Sequence, residues 1–230
     1  MKETFLGVCI LFLLLSCQKE KEEKSLVNKC DLVSKVQIFG IRWEDWGTYE
    51  HDNKGRLTTV DRDRYYYYKD SIVVVAKDGR GDDITRTYYL DNLGRIVSDN
   101  RYGMHFKYNN EGYLVFAGGY TLKYANGNLI EASIDYSDQT PERRFFEYYD
   151  TAYQNILGYT HPLKQTGAFY DRITTLLIGG GYFGRQPKSL LKSYTVPNYG
   201  IVKCNYEFDE KGRIVFVGGG VIYKFEYNCK

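Results

Sequence analysis

Proline is scarce in this chain, and neither sign of charge is in large excess. Only 4 of the 230 residues are Pro, and 31 basic residues face 29 acidic ones, for a net charge of +2. This balance argues against a dedicated nucleic-acid binder, which would carry a basic excess. General disorder is excluded as well, because 24 Tyr, 12 Phe and 2 Trp can bury a large core. Few Pro beside 23 Gly and many Tyr favour tight turns and β-sheet.

The apolar run near the N-terminus is too short to span a membrane. It covers residues 5–15, whereas a spanning helix needs about 20 apolar residues. Residues 1–16 are therefore predicted to be a secretory signal peptide. The run ends in Leu14, Leu15, Ser16 and Cys17, which resembles the bacterial lipoprotein box and implies lipid on Cys17. The alternative is an ordinary signal peptide with a chance Cys at its boundary.

The segment after Cys17 is polar. Residues 18–24 read QKEKEEK, which by composition predicts a solvated tether, and we assign residues 17–29 to the lipidated Cys and this tether. The segment resembles the Lys- and acid-rich tag of Bacteroidota lipoproteins, which directs them to the cell surface. A spacer on the periplasmic face of the outer membrane is the alternative.

A turn motif repeats through the rest of the chain: an aromatic residue, then Asp or Asn, then Gly three residues later, usually followed by Arg and Leu or Ile. Copies occupy residues 49–57, 88–96, 106–114 and 206–214, with a shorter one at 124–129. The acid or amide bonds the backbone two residues on, and the Gly adopts a left-handed conformation. We therefore expect positive φ at Gly55, Gly94, Gly112, Gly127 and Gly212, and we interpret the acids as turn formers.

Strand-like runs separate these turns and predict an all-β fold. Tight turns make successive strands antiparallel neighbours, so we expect one domain over residues 30–230, a meander curled into a half-barrel or barrel-like sheet. Residues 135–200 break the rhythm as an insertion with one or two short helices. A short helix is predicted at 168–178 and one helical turn at 187–191.

The patterns associated with catalysis are weak here. Residues 179–184 satisfy G-x-G-x-x-G, but Pro187 follows too soon for a long helix, so a flexible loop is favoured. His51, His105 and His161 are scattered and predict no metal site. Four acids that could meet as a glycosidase pair are Asp45, Asp61, Asp63 and Glu147. We expect no enzyme activity, no catalytic residues and no cofactor.

Four consecutive tyrosines form the most unusual local feature. They are Tyr65, Tyr66, Tyr67 and Tyr68, and in a strand two would face each side. One interpretation is a core on one side and an amphipathic wall on the other. The functional interpretation is an aromatic surface that binds sugar rings or a partner.

The signal, the turn repeat, residues 184–191 (GRQPKSLL) and the last hairpin at 206–227 together resemble a known group. They are similar to a Bacteroidota family of secreted lipoproteins of unknown function with a porin-like, many-stranded sheet. The hairpins also resemble the Tyr-Asp repeats of large shell-forming secreted proteins. The resemblance implies a fold and a cellular location, and it provides no catalytic residues.

We therefore expect a monomeric outer-membrane lipoprotein at the cell surface that binds a glycan or a protein without catalysis, held to the membrane by lipid on Cys17. An envelope structural or carrier protein that holds a lipid or peptide in its half-barrel is the alternative. If the first and last strands meet, Cys30 and Cys229 can form a disulfide, with Cys204 free and half-buried. The alternative is that all three thiols are reduced.

Overall fold

The computed structural model describes residues 32–39, 44–77, 80–136, 140–166, 168–169 and 171–227. The predicted signal peptide, Cys17, the tether, Cys30 and Cys229 lie outside these residues. The lipid anchor and the disulfide therefore stay predictions.

The described residues form seventeen strands and one α-helix. The first nine strands are β1 (Val33–Phe39), β2 (Glu44–His51), β3 (Leu57–Val60), β4 (Asp63–Tyr67), β5 (Ser71–Lys77), β6 (Asp83–Leu90), β7 (Ile96–Asp99), β8 (Phe106–Tyr108) and β9 (Leu114–Ala117). The others are β10 (Tyr120–Ala125), β11 (Asn128–Ile134), β12 (Glu142–Ala152), β13 (Ser189–Val196), β14 (Gly200–Lys203), β15 (Asn205–Phe208), β16 (Ile214–Gly218) and β17 (Ile222–Tyr227). The helix α1 spans Arg172–Gly179, and a 3-10 helix spans Pro162–Gln165.

The strands form two antiparallel sheets. One has the order β15-β16-β17-β1-β2-β3-β4-β5-β6-β7 and the other β14-β13-β12-β11-β10-β9-β8. The first and last strands pair, with Val36 opposite Phe225. At one seam the sheets meet through a bridge between Ser98 and His105. At the other, the Cys204 amide donates to the Lys192 carbonyl at 2.8 Å. The all-β antiparallel prediction is confirmed, as two joined sheets rather than one closed barrel.

Antiparallel connectivity places all copies of the repeated turn at the same end of the strands. The turns at residues 52–56, 91–95, 109–113, 126–127 and 209–213 all lie there, as do the start of β1 and the end of β17. We call this end the turn rim. The connections at residues 61–62, 100–105, 118–119, 197–199 and 219–221 lie at the other end, which we call the far rim.

The repeated turns share one hydrogen-bond pattern. Asp91 Oδ1 accepts from the Leu93 and Arg95 amides, both at 2.9 Å, and Oδ2 accepts from Arg95 Nε at 2.8 Å. The Asp52 and Asp209 turns repeat it. Burial raises the pKa of Asp91, but these bonds outweigh burial and hold it below its ordinary value. As the motif predicts, φ is between 74° and 87° at Gly55, Gly94, Gly112, Gly127 and Gly212.

The chain between β12 and β13, residues 153–188, packs against both sheets from the inside, and we call it the inner segment. Its Tyr159 ring contacts Tyr223 of β17, and its Phe169 ring stacks on Phe106 of β8. Residues 173–178 of α1 are all buried, as expected for a helix enclosed on every side. The space inside the strands is therefore filled with side chains.

The insertion differs in detail from its prediction. The helix begins at Arg172 rather than at residue 168, and the helical turn predicted at 187–191 is wrong. Residues from Ser189 onward form β13, because Asn128 Oδ1 accepts from the Lys188 and Ser189 amides and β12 and β14 pair with the strand on both sides. Pro does begin a short helix in this region, but at Pro162.

Candidate functional site

The four consecutive tyrosines do not form one surface. Tyr65 is buried and Tyr67 is half-buried against Tyr182, whereas Tyr66 and Tyr68 are 43% and 59% exposed. Side chains of β4 alternate between the two faces of the sheet. Tyr65 and Tyr67 thus pack inward, in agreement with the interpretation of a core on one side and an amphipathic wall on the other. Of the four residues considered for an aromatic surface, only Tyr66 and Tyr68 are exposed.

A second group of tyrosines surrounds a concave cavity of about 520 Å³ on the far rim. We call it the tyrosine cup. Its lining residues are Tyr102, Met104, Gly118, Tyr120, Ile134, Tyr136, Ala168 and Asp171. Small-ligand pockets have volumes of about 300–1,000 Å³, so the cup has the size of a ligand site.

The cup forms where the two sheets meet. Asp99 Oδ1 accepts from the amides of Arg101 and Tyr102, at 2.9 and 2.8 Å, and fixes the loop after β7. This loop carries Tyr102, which is 58% exposed, and Tyr136 follows β11 at 44% exposure. Tyr120 is buried in the wall. Two exposed rings, of Tyr102 and Tyr136, and one buried ring, of Tyr120, thus line the cavity.

Two glycines allow close packing of side chains at the wall of the cup. Gly118 and Gly119 join β9 to β10 at φ of 55° and 86°. A Cβ on Gly118 would lie 3.2 Å from Met104 Sδ, and one on Gly119 would lie 3.1 Å from Ile134 Cδ1. The pair forms a tight turn between the two strands. Gly219 and Gly220 occupy the same place between β16 and β17.

Asp171 is the charged group of the cup. Its Oδ1 accepts from the Thr174 amide at 3.1 Å and from Arg86 Nη1 at 2.8 Å, and its Oδ2 accepts from Thr174 Oγ1 at 2.7 Å. Burial lowers the pKa of Arg86, but Asp171 and Tyr88 outweigh it, so the pKa is raised overall. The Arg86 guanidinium is therefore a permanent counter-ion, and Asp171 is a fixed hydrogen-bond acceptor.

Two of the four acids considered for a glycosidase pair do come together. Arg172 Nη1 and Nη2 donate to Asp61 and Asp63 at 2.6 and 2.8 Å. One guanidinium thus joins both carboxylates and fixes the start of α1. Glu147 lies on β12, where it accepts from Ser193 Oγ, and the Asp45 side chain is outside the described part of the chain.

The histidines occupy separate positions. His161 is buried and caps the 3-10 helix, accepting from the Leu163 amide through Nδ1 at 3.1 Å. Burial lowers its pKa to about 3. His51 lies at the turn rim and His105 at the seam. Within the described ranges, no group of three His, Cys, Asp or Glu residues could hold a metal ion.

The glycine-rich sequence at 179–184 follows a helix instead of opening one. The carbonyl of Gly179 accepts from Asn155 Nδ2, and that of Leu176 accepts from the Gly180 amide. The helix end is thus capped, and the loop presents no helix N-terminus to a phosphate. Cys204 is free, as predicted, but only 5% exposed rather than half-buried. Burial raises the pKa of its thiol to about 11.

The fold matches solved structures. A porin-like protein from Bacteroides uniformis aligns with a TM-score of 0.62 at 16% identity, over 85% of this chain and 98% of that one. A porin-like protein from Bacteroides vulgatus aligns with a TM-score of 0.53 at 14% identity, over 87% and 100%. Neither a protein-family model nor a curated protein sequence matches the chain. In the part that the structure describes, no helix is long and apolar enough to cross a membrane. The chain thus shares its fold with porin-like Bacteroides proteins.

Proposed function

We propose that this protein is a lipid-anchored, surface-displayed binding protein of the outer membrane, without catalysis, and that the tyrosine cup binds a glycan. The observation that carries the proposal is the position of the cup on the far rim, opposite the rim where β1 begins. The porin-like Bacteroides structures support an envelope location.

The tether geometry supports this orientation. With lipid on Cys17, residues 18–31 link the membrane to Leu32 beside the turn rim. The turn rim is then the rim nearer the anchor, and the tyrosine cup lies at the rim farther from it, where a surface-displayed protein meets its ligand.

The chemistry of the cup favours a sugar. Exposed Tyr rings offer apolar faces for the C–H groups of a sugar and hydroxyls at their edges. Asp171 is a fixed acceptor for a sugar hydroxyl, and Met104 and Ile134 supply an apolar wall. A protein partner needs about 800 Å² on each side, which exceeds the area of so small a concavity.

The carrier alternative has less support. A carrier needs an open interior, whereas the inner segment places the buried residues Ile173, Leu177 and Ile178 between the sheets. The interior between the sheets is therefore filled among the described residues, whereas the tyrosine cup opens at the far rim.

The proposal is tested with a glycan array probed with the purified mature protein. We expect binding to a restricted set of glycans. Retention of the same set by a Tyr199→Ala variant, which removes a far-rim tyrosine that is 87% exposed and outside the cup, is the matched control. Absence of binding to every glycan, with the protein folded by circular dichroism, would contradict the proposal.

A further inference from the structure

The turn rim holds a second cavity, of about 430 Å³, which we call the rim pocket. It lies between the end of α1, the 52–56 turn and the start of the inner segment. Leu32, the first described residue after the tether, also lines it. The rim pocket is separate from the tyrosine cup, which lies at the opposite end of α1.

The charged residues that line the rim pocket are of one sign. Lys54, Arg56 and Arg213 line it, and among the described lining residues there is no Asp or Glu. Arg56 pairs with Asp52 and lies 4.5 Å from the Tyr67 ring centroid, and Arg213 pairs with Asp209. These two cations are fixed and largely neutralised. Lys54 enters no ion pair with another described residue, so it supplies the net positive charge.

Apolar side chains also line the rim pocket. The part-exposed Leu32 and Leu157 are among them, beside the core residues Leu57 and Leu177. The carbonyls of residues 176–179, which end α1 at the pocket, all accept hydrogen bonds from within the chain. The pocket therefore combines an apolar wall with a cationic mouth.

We propose that the rim pocket binds an anionic amphiphile, a single acyl chain with a carboxylate or phosphate head. The chain would lie along the part-exposed Leu32 and Leu157 side chains, and the head would pair with the Lys54 ammonium. If Cys17 is lipidated, the pocket lies at the rim nearer the anchor and the bilayer, where such molecules are concentrated. The proposal stands without the cup, because the two sites share no lining residue.

The test is calorimetric titration of the purified protein with dodecanoate, dodecyl phosphate, dodecanol and acetate. We expect the two anionic amphiphiles to bind and dodecanol and acetate to bind at least tenfold more weakly. The tighter of the two anions identifies the head group as carboxylate or phosphate, and either result supports the proposal.

Two turn variants locate the site. Lys54→Leu converts the turn to the Asp-Asn-Leu-Gly-Arg sequence that this protein already uses at residues 91–95, so the turn is expected to fold. Lys211→Leu changes the equivalent position of a neighbouring turn, outside the rim pocket. We expect about tenfold weaker binding in Lys54→Leu, the loss of one charge-assisted contact, and unchanged binding in Lys211→Leu. Dodecanol binding as tightly as dodecanoate, equal effects of the two variants, or no binding would overturn the proposal.

Discussion

Gly94 is a position at which the effect of positive φ in the repeated turn can be measured without steric overlap. Its φ is 76°, and a Cβ added there would meet nothing within 4 Å. We expect Gly94→Val to lower the free energy of unfolding by about 1–3 kcal/mol through backbone strain alone. Denaturant unfolding of both proteins measures the difference. Gly94→Asn is the control and should lose less, because Asn tolerates the left-handed region. Equal losses would show that strain is not the cause.

His161 makes stability depend on pH. The unfolded chain binds a proton at this residue below about pH 6.5, whereas the folded protein does so only near pH 3. The unfolded state therefore holds more protons between these values, and stability falls as pH decreases, by up to about 1.4 kcal/mol per pH unit. Protonation would also remove the Nδ1 acceptor used by the Leu163 amide.

Denaturant unfolding between pH 6.5 and 4.5 measures this slope. We expect His161→Asn to flatten it, because Asn can cap the 3-10 helix without titrating in this range. His105→Asn, at an exposed position, is the matched control and should keep the wild-type slope. An unchanged slope in His161→Asn would contradict the assignment.

For single residues, the sequence predicted the features that depend on near neighbours in the chain. The Asp and Gly positions of the turns followed from turn chemistry, because the constraint lies within five residues. The Arg after the Gly makes two contacts in the structure. Arg95 donates to the Asp91 carboxylate, and its guanidinium lies 4.3 Å from the Tyr108 ring centroid. The recurrence of Arg after Gly55, Gly94 and Gly212 indicated a role in the turn. Its aromatic contact could not be predicted, because the Tyr lies on another strand.

Among the elements, α1 depends on a close approach of two backbones. A Cβ on Gly179 would overlap the Leu157 carbonyl carbon and the Gly158 amide. We expect Gly179→Ala to destabilise the protein by at least about 1–3 kcal/mol, the usual cost of overpacking. Thermal or denaturant unfolding measures it.

Gly180→Ala is the control for this prediction. Its Cβ would meet the Tyr182 ring, a side chain that can move, and Gly180 has an ordinary φ of −70°. We expect a smaller loss than in Gly179→Ala. A Gly179→Ala protein as stable as the parent would show that the helix can move away from the inner segment.

The strands were more predictable than the insertion. Alternation and β-branched residues indicated strands between the turns, and β5 has this alternating pattern of buried and part-exposed side chains. Pro187 favoured a helical turn at residues 187–191, but pairing with β12 and the hydrogen bonds that Asn128 Oδ1 accepts make residues from Ser189 onward a strand. Such partners are about 40 to 60 residues away in sequence, so a local pattern does not reveal them.

For the whole molecule, the meander followed from the tight turns, and the barrel-like expectation allowed the first and last strands to meet, as β1 and β17 do. The filled interior and the tyrosine cup did not. Tyr102, Tyr120 and Tyr136 carry no shared motif, and only the seam between the sheets brings them together with Asp171. The tyrosines that did stand out in sequence divide between core and surface.

The predicted lipid on Cys17 determines whether the whole molecule is held at a membrane. We expect Cys17→Ala to move the protein from the detergent phase to the aqueous phase in Triton X-114 partitioning, because acyl chains contribute about 0.8 kcal/mol per buried CH₂ to membrane binding. Cys204→Ala, which changes a buried free thiol, is the control and should partition like the parent. A Cys17→Ala protein that stays in the detergent phase would contradict the lipid assignment.

The most direct test of the binding proposal is the affinity of the double variant Tyr102→Ala/Tyr136→Ala for the best glycan from the array, measured by titration calorimetry. Both side chains are exposed, so the variant is expected to fold. We predict a loss of at least tenfold relative to the parent, with Tyr199→Ala and Tyr68→Ala unchanged. Parent-like affinity in the double variant would contradict the assignment of the tyrosine cup as the glycan site.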